Sequence, residues 1–241
     1  MPPSDPTGPE SSSPPEQSST IRGRGDRFHR IDLRWRVRDR PRRRRARRRR
    51  LHRPARRGVP GGFDEDPEQT AVYTSLYRAF GIIGPDDDIE TLYREFGEAG
   101  VLGFYDPATD ELVVRAADEL TLMAKSTIVH ELTHAYDDQL FDLDRPEYDE
   151  RTDEVPWTFT ALIEGDASYV ESRWRDTLSL TDSLALQDEE ENFGDPNAFD
   201  DFELSFLFLE FSPYLYGEEF VAALVDDGGF EAVDAAFFQP S

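Results

Sequence analysis

Apolar residues along this chain recur with two different periods, and the changes of period divide it into elements. From Pro67 onward, Val72, Leu76, Ala79 and Phe80 fall at helical spacing, and Gly81 and Gly84 end the run. Residues 86–88 are aspartates placed to accept the free N–H groups of a second helix, whose apolar face is Ile89, Leu92, Tyr93 and Phe96 and which Gly97 and Gly100 close. The period then shortens. Residues 101–105 and 111–115 read as two strands, and the Asp-Pro-Ala-Thr-Asp stretch between them is turn chemistry, so the pattern predicts a β-hairpin. Helical spacing returns over residues 118–140, where Leu122, Met123, Ile128, Val129, Leu132, Ala135 and Tyr136 supply apolar surface. A second long helix is predicted over residues 156–177, flanked by acidic stretches at 142–154 and 188–201. A Phe- and Leu-rich segment, 202–211, stops at Ser212-Pro213. Residues 214–225 regain helical spacing, and residues 230–238 start a last helical pattern after Gly228-Gly229. The expectation is an α+β domain, mainly helical, with one small hairpin or sheet.

Charge divides the chain more sharply than pattern does. Residues 1–60 hold 19 arginines and 6 acidic residues, whereas residues 61–241 hold the other 8 basic residues and 45 acidic ones. The net charge of −24 therefore describes neither part. Residues 1–62 are expected to be a disordered tail, Pro- and Ser-rich and then Arg-rich, because they have too little apolar surface to offset the entropy of ordering. They read either as a disordered tail or as the product of a misplaced start, and arginine density by itself is a weak signal for nucleic acid. Residues 63–241 are expected to be one domain. Its only lysine is Lys125, and so much carboxylate with so little lysine is a salt-adapted pattern, since salt screens the self-repulsion. There is no cysteine, which excludes disulfides and thiolate metal sites. No apolar run reaches the length of a membrane span, and no basic stretch leads into an apolar one as a signal peptide would require. Localisation stays open: cytoplasmic if Met1 is the true start, exported or cell-surface if it is not.

The candidate chemistry is concentrated at His130-Glu131-Leu132-Thr133-His134. On a helix, positions four apart share a face, so the two imidazoles can aim at one point and suit a zinc ion. The intervening Glu131 is placed to act as a base. These are two of only four histidines; the others, His29 and His52, lie in the arginine-rich segment. A third ligand should come from a neighbouring helix. Glu164 follows the apolar run Ala161-Leu162-Ile163, where an unpaired carboxylate would be costly unless a cation took it. Asp166 points away from that face, and Glu171 lies two turns further on and is expected to be too distant. Ala161, Gly165, Ala167 and Ser168 are small enough to let two helices approach closely. Asp137 and Asp138 are candidates to hold a histidine's second nitrogen, with solvation as the default on an acidic surface.

The segments 130–135 and 161–165 together resemble the gluzincin group of zinc metallopeptidases, whose third ligand is a glutamate on a helix downstream of the H-E-x-x-H helix. The likeness is to compact gluzincin-like domains of bacteria and archaea, over about residues 67–238, with a longer separation between His134 and Glu164 that the acidic loop 142–154 would account for. The resemblance implies a zincin-like fold, Zn2+ held by His130, His134 and Glu164, and Glu131 as general base. An oxyanion donor is also needed, and no histidine follows His134. Pro213-Tyr214-Leu215-Tyr216-Gly217 resembles the P-Y-x-x-G stretch of the aminopeptidase branch, which points to Tyr214, with Tyr216 as second choice. The amine-binding G-x-M-E-N segment of that branch has no counterpart here, so endopeptidase action on a peptide or protein is the expectation. The alternative is a surface or binding protein with a non-catalytic zinc site of the same kind.

Overall fold

The computed structural model describes residues 27–32, 67–107, 111–116, 120–145, 148, 154–194 and 197–238. The long arginine runs and most of the acidic loop at 142–154 lie outside the described residues. In chain order the elements are β1 (Arg27–Asp32), α1 (Pro67–Ala79), α2 (Ile89–Gly100), β2 (Gly103–Asp106), β3 (Glu111–Ala116), α3 (Leu122–Phe141), α4 (Val155–Arg175), α5 (Leu180–Glu191), α6 (Leu204–Gly228) and α7 (Phe230–Phe238). Among the described residues the fold is thus mainly helical with a small antiparallel sheet.

The hairpin forms where the change of period places it. β2 and β3 pair antiparallel with Tyr105 opposite Leu112, and β1 pairs antiparallel with the other side of β3, so the order is β1-β3-β2. β1 comes from a stretch without strand-like patterning. Alternation along β3 buries Leu112 and Val114, which pack with Ala124 and the half-buried Ile128 and Leu132 of α3. This contact seats the helix bearing the histidines on the sheet. Thr121 starts that helix by accepting the N–H of Ala124 at 3.1 Å, and Asp88 starts α2 in the same way with Thr91 at 2.8 Å.

Two departures from the hydrophobic pattern concern the second half. The expected break at Ser212-Pro213 does not occur: α6 runs unbroken for 25 residues. Pro213 has no N–H to give the carbonyl of Leu209, and the Ser212 hydroxyl donates to that oxygen at 2.8 Å instead. The second departure is α5, which the apolar spacing does not announce because Leu186 is its one buried residue. Its start is nonetheless written locally, since Ser179 accepts the N–H of Asp182 at 3.1 Å.

Helix α6 joins two apolar clusters. Its first half packs Phe206 with Ile83, Ile89, Tyr93 and Phe96; its second half packs Val221 with Phe141, Phe159, Leu162, Val233 and Phe237. Between these it crosses α4 at glycine on glycine. A Cβ on Gly165 would overlap the backbone of Gly217, and one on Gly217 would overlap the carbonyl oxygen of Ala161. The small residues of α4 therefore serve an approach by α6 at this crossing, one residue after Glu164 and three after Tyr214.

Candidate metal centre

Helix α3 brings His130 and His134 onto one face, and α4 presents Glu164 to it. Glu164 Oε2 lies 3.2 Å from His130 Nε2 and 3.4 Å from His134 Nε2. One ligand atom from each of the three residues lies within 4.8 Å of the others, and this is the one such group of three or more among the described residues. Zinc bonds of about 2.0–2.1 Å in a tetrahedron separate ligand atoms by roughly 3.4 Å, so two imidazole nitrogens and a carboxylate oxygen at these spacings fit a divalent cation. The donor set alone does not distinguish zinc from other metals that take nitrogen and oxygen.

The local electrostatics favour positive charge at this point. Burial alone would pull the His130 imidazole down, but hydrogen bonds to Glu164 and Glu171 and the charge of Glu164 push it up to about 10. Burial alone would raise the Glu164 carboxyl, but the charge of His134 and hydrogen bonds from both imidazoles hold it well below the ordinary range. A pocket that holds a proton so firmly between two carboxylates offers the same attraction to a metal ion.

Glu171 is not a third ligand, as its spacing leads one to expect, yet it belongs to the site. Two turns along α4 from Glu164, its Oε2 meets the other nitrogen of His130, Nδ1, at 3.1 Å. Its second oxygen accepts from the Ser126 hydroxyl at 2.7 Å and the Arg175 guanidinium at 2.8 Å. Burial opposes ionisation of Glu171, but these partners hold its carboxyl at about 2. The chain Arg175–Glu171–His130 therefore fixes the ring orientation of His130.

The default of solvation for Asp137 and Asp138 is overturned: they are 1% and 2% exposed. Asp138 accepts the Tyr105 hydroxyl and the N–H of Leu143, both at 3.0 Å, and so ties the hairpin to the end of α3. Asp137 hydrogen-bonds Asp166, and burial followed by the charge of Asp166 pushes its carboxyl up to about 9. Burial raises the Asp166 carboxyl as well, so the two aspartates resist ionising together. Both aspartates face inward because α4 and the hairpin cover that side of α3, a matter of packing that an acidic composition hides.

Glu131 is buried beside the histidines, and accepts the backbone N–H of Tyr105 from β2. Burial raises its carboxyl despite the two nearby imidazoles. Of the two tyrosines, Tyr214 faces the centre: its ring stacks on that of His130 with centroids 6.2 Å apart, and its hydroxyl hydrogen-bonds Glu164. Burial and then the charges of Glu164 and Glu131 push this phenol far up, so it stays a proton donor. Tyr216 is 50% exposed and turned toward Phe208, with ring centroids 6.2 Å apart. A cavity of about 280 Å³ opens beside His130, Glu131 and Tyr214. Phe96, Leu102, Met123 and Phe211 form its apolar wall, and Arg175 with Glu190 its polar end.

Comparison of the chain with protein-family models, with curated proteins and with solved structures gives no match in any of the three.

Proposed function

We propose that this domain is a zinc-dependent peptidase of gluzincin type, with a zincin-like fold, that cleaves within peptide or protein chains. The observation that carries the proposal is the buried Glu131 beside a His130–His134–Glu164 cluster whose ligand atoms lie within 4.8 Å of one another, open to a cavity. His130, His134 and Glu164 would hold the metal. When bound, zinc supplies Lewis acidity, which makes water nucleophilic at neutral pH and polarises a carbonyl. Glu131 takes the proton of the attacking water at its carboxylate and returns it to the leaving amine, a role its raised proton affinity suits. Tyr214 keeps its hydroxyl proton and donates a hydrogen bond to the carbonyl oxygen as charge develops there. β2 lies at an edge of the sheet, with Gly103 lining the cavity, and offers main-chain groups to an extended substrate.

Metal analysis and peptide hydrolysis test the proposal together. Purified protein is expected to carry one zinc, to lose it in Glu164→Ala, and to keep it in Glu131→Gln with hydrolysis reduced at least a hundredfold, the lower end of what a positioned base contributes. Zinc well below stoichiometric amounts would sink the site. Stoichiometric zinc with no cleavage of a peptide library at high salt would leave a binding module with a non-catalytic metal.

A further inference from the structure

Behind Tyr214 lies a buried carboxyl that this chemistry does not use. Glu210 stands one turn earlier on α6, so the two side chains are neighbours on one helix face. It is 7% exposed and belongs to the same stretch of helix as Phe206, whose cluster holds Tyr93 and Phe96 of α2. Its Oε1 accepts the Tyr93 hydroxyl at 2.6 Å, and the Tyr77 hydroxyl of α1 lies 3.4 Å from that of Tyr93. A carboxyl in aromatic surroundings is costly, and a leucine there would pack without that cost.

Glu210 sits in the one turn of α6 that has lost a helix hydrogen bond. Pro213 gives nothing to Leu209, and the Ser212 hydroxyl satisfies that carbonyl without restoring the backbone tie. The next residue is Tyr214. A turn that lacks this tie resists tilting less than its neighbours, and the Glu210–Tyr93 bond fastens it to α2. We infer that Glu210 is a positioning residue for Tyr214: gripped by Tyr93, it locks the Pro213 turn of α6 so that the Tyr214 ring stays against His130. This rests on the role proposed for Tyr214. Burial of Tyr93 followed by the charge of Glu210 pushes its phenol far up, so its hydroxyl remains the donor to Glu210.

The test places 3-fluorotyrosine at position 214 of the full chain and reads its 19F resonance. Wild type and Glu210→Gln, which keeps an acceptor oxygen for Tyr93, are expected to give one narrow line at unchanged zinc content. Tyr93→Phe and Glu210→Leu are expected to split or broaden it. Should Glu210→Leu fail to fold, Tyr93→Phe removes only one hydroxyl and reads the same contact. An unchanged line in Tyr93→Phe overturns the inference. In hydrolysis assays the same two variants should lower kcat on the order of tenfold to a hundredfold with KM unchanged, as a misplaced group does. The double variant Glu210→Leu with Tyr214→Phe should be no slower than Tyr214→Phe alone, and additive losses overturn the inference. If Tyr214→Phe cleaves peptides at the wild-type rate, the role of Tyr214 falls, while the fluorine line still decides whether Glu210 positions it.

Discussion

At the scale of single residues, the centre is governed by carboxylates whose partners decide whether they hold a charge or a proton. Glu171 is charged because Ser126, Arg175 and His130 meet it. Its replacement by alanine would leave the Nδ1 of His130 without an acceptor, and metal affinity is expected to fall about 10–100-fold. Competition with a chelator measures this; unchanged affinity would show that the ring is held by packing alone. Glu210 is the opposite case. Burial pushes its carboxyl from the ordinary 4.5 up to about 7. Between those values the folded protein holds the proton and the unfolded chain does not. The stabilisation is complete below about 4.5 and is lost as pH rises through about 7, by on the order of 3 kcal/mol at most. Urea denaturation of wild type and Glu210→Gln across that window checks the sign. The wild type should lose stability more steeply with rising pH, and parallel curves would contradict it.

At the scale of elements, the site exists because α4 and α6 cross at small residues beside the histidine helix. α4 supplies Glu164, α6 supplies Tyr214, and the crossing at Gly165 and Gly217 sets how near these two come. Gly217→Ala would put a methyl group into the Ala161 carbonyl, and backbone on both sides leaves no flexible side chain to yield. The expected cost is about 2–3 kcal/mol, toward the upper end for overpacking. That corresponds to a melting temperature lower by roughly 5–10 °C. Hydrolysis should fall further than stability explains, because the displaced helix takes Tyr214 with it. A Gly217→Ala protein that melts like wild type would show that the helices part at no cost. The same packing explains why Asp137, Asp138 and Asp166 are buried: the first two lie on α3 where the hairpin or α4 covers it, and Asp166 lies on α4 against Asp137.

At the scale of the molecule, residues 61–241 carry 45 acidic side chains against 8 basic ones, and many of the described carboxylates on α5 and its flanks are exposed. Like charges at this density repel one another, and the repulsion is felt over about 10 Å at 0.1 M salt but only about 3 Å at 1 M. We expect the melting temperature to rise steadily between those two concentrations of potassium chloride. A flat or falling curve would remove salt adaptation as the reason for the composition. No helix among the described residues is long and apolar enough to cross a membrane.

What the sequence determined by itself was local chemistry. Period located the hairpin, the histidine helix and the helix carrying Glu164, because the spacing of apolar residues is set within a few residues of chain. The metal-capable triad was legible for the same reason: His130 and His134 are one turn apart, and a glutamate after an apolar run needs a cation. Which distant groups meet depended on packing between elements far apart in the chain. Glu171 reaches His130 because α3 and α4 run side by side, and its spacing from Glu164 had counted against it only as a ligand to the same point. Ser212-Pro213 read as a break because proline removes a hydrogen bond, and α6 continues because the Ser212 hydroxyl satisfies the freed carbonyl and both apolar clusters grip the helix. Asp137 and Asp138 looked like solvated surface because burial is set by what folds over a residue, and the covering hairpin and helix come from elsewhere in the chain.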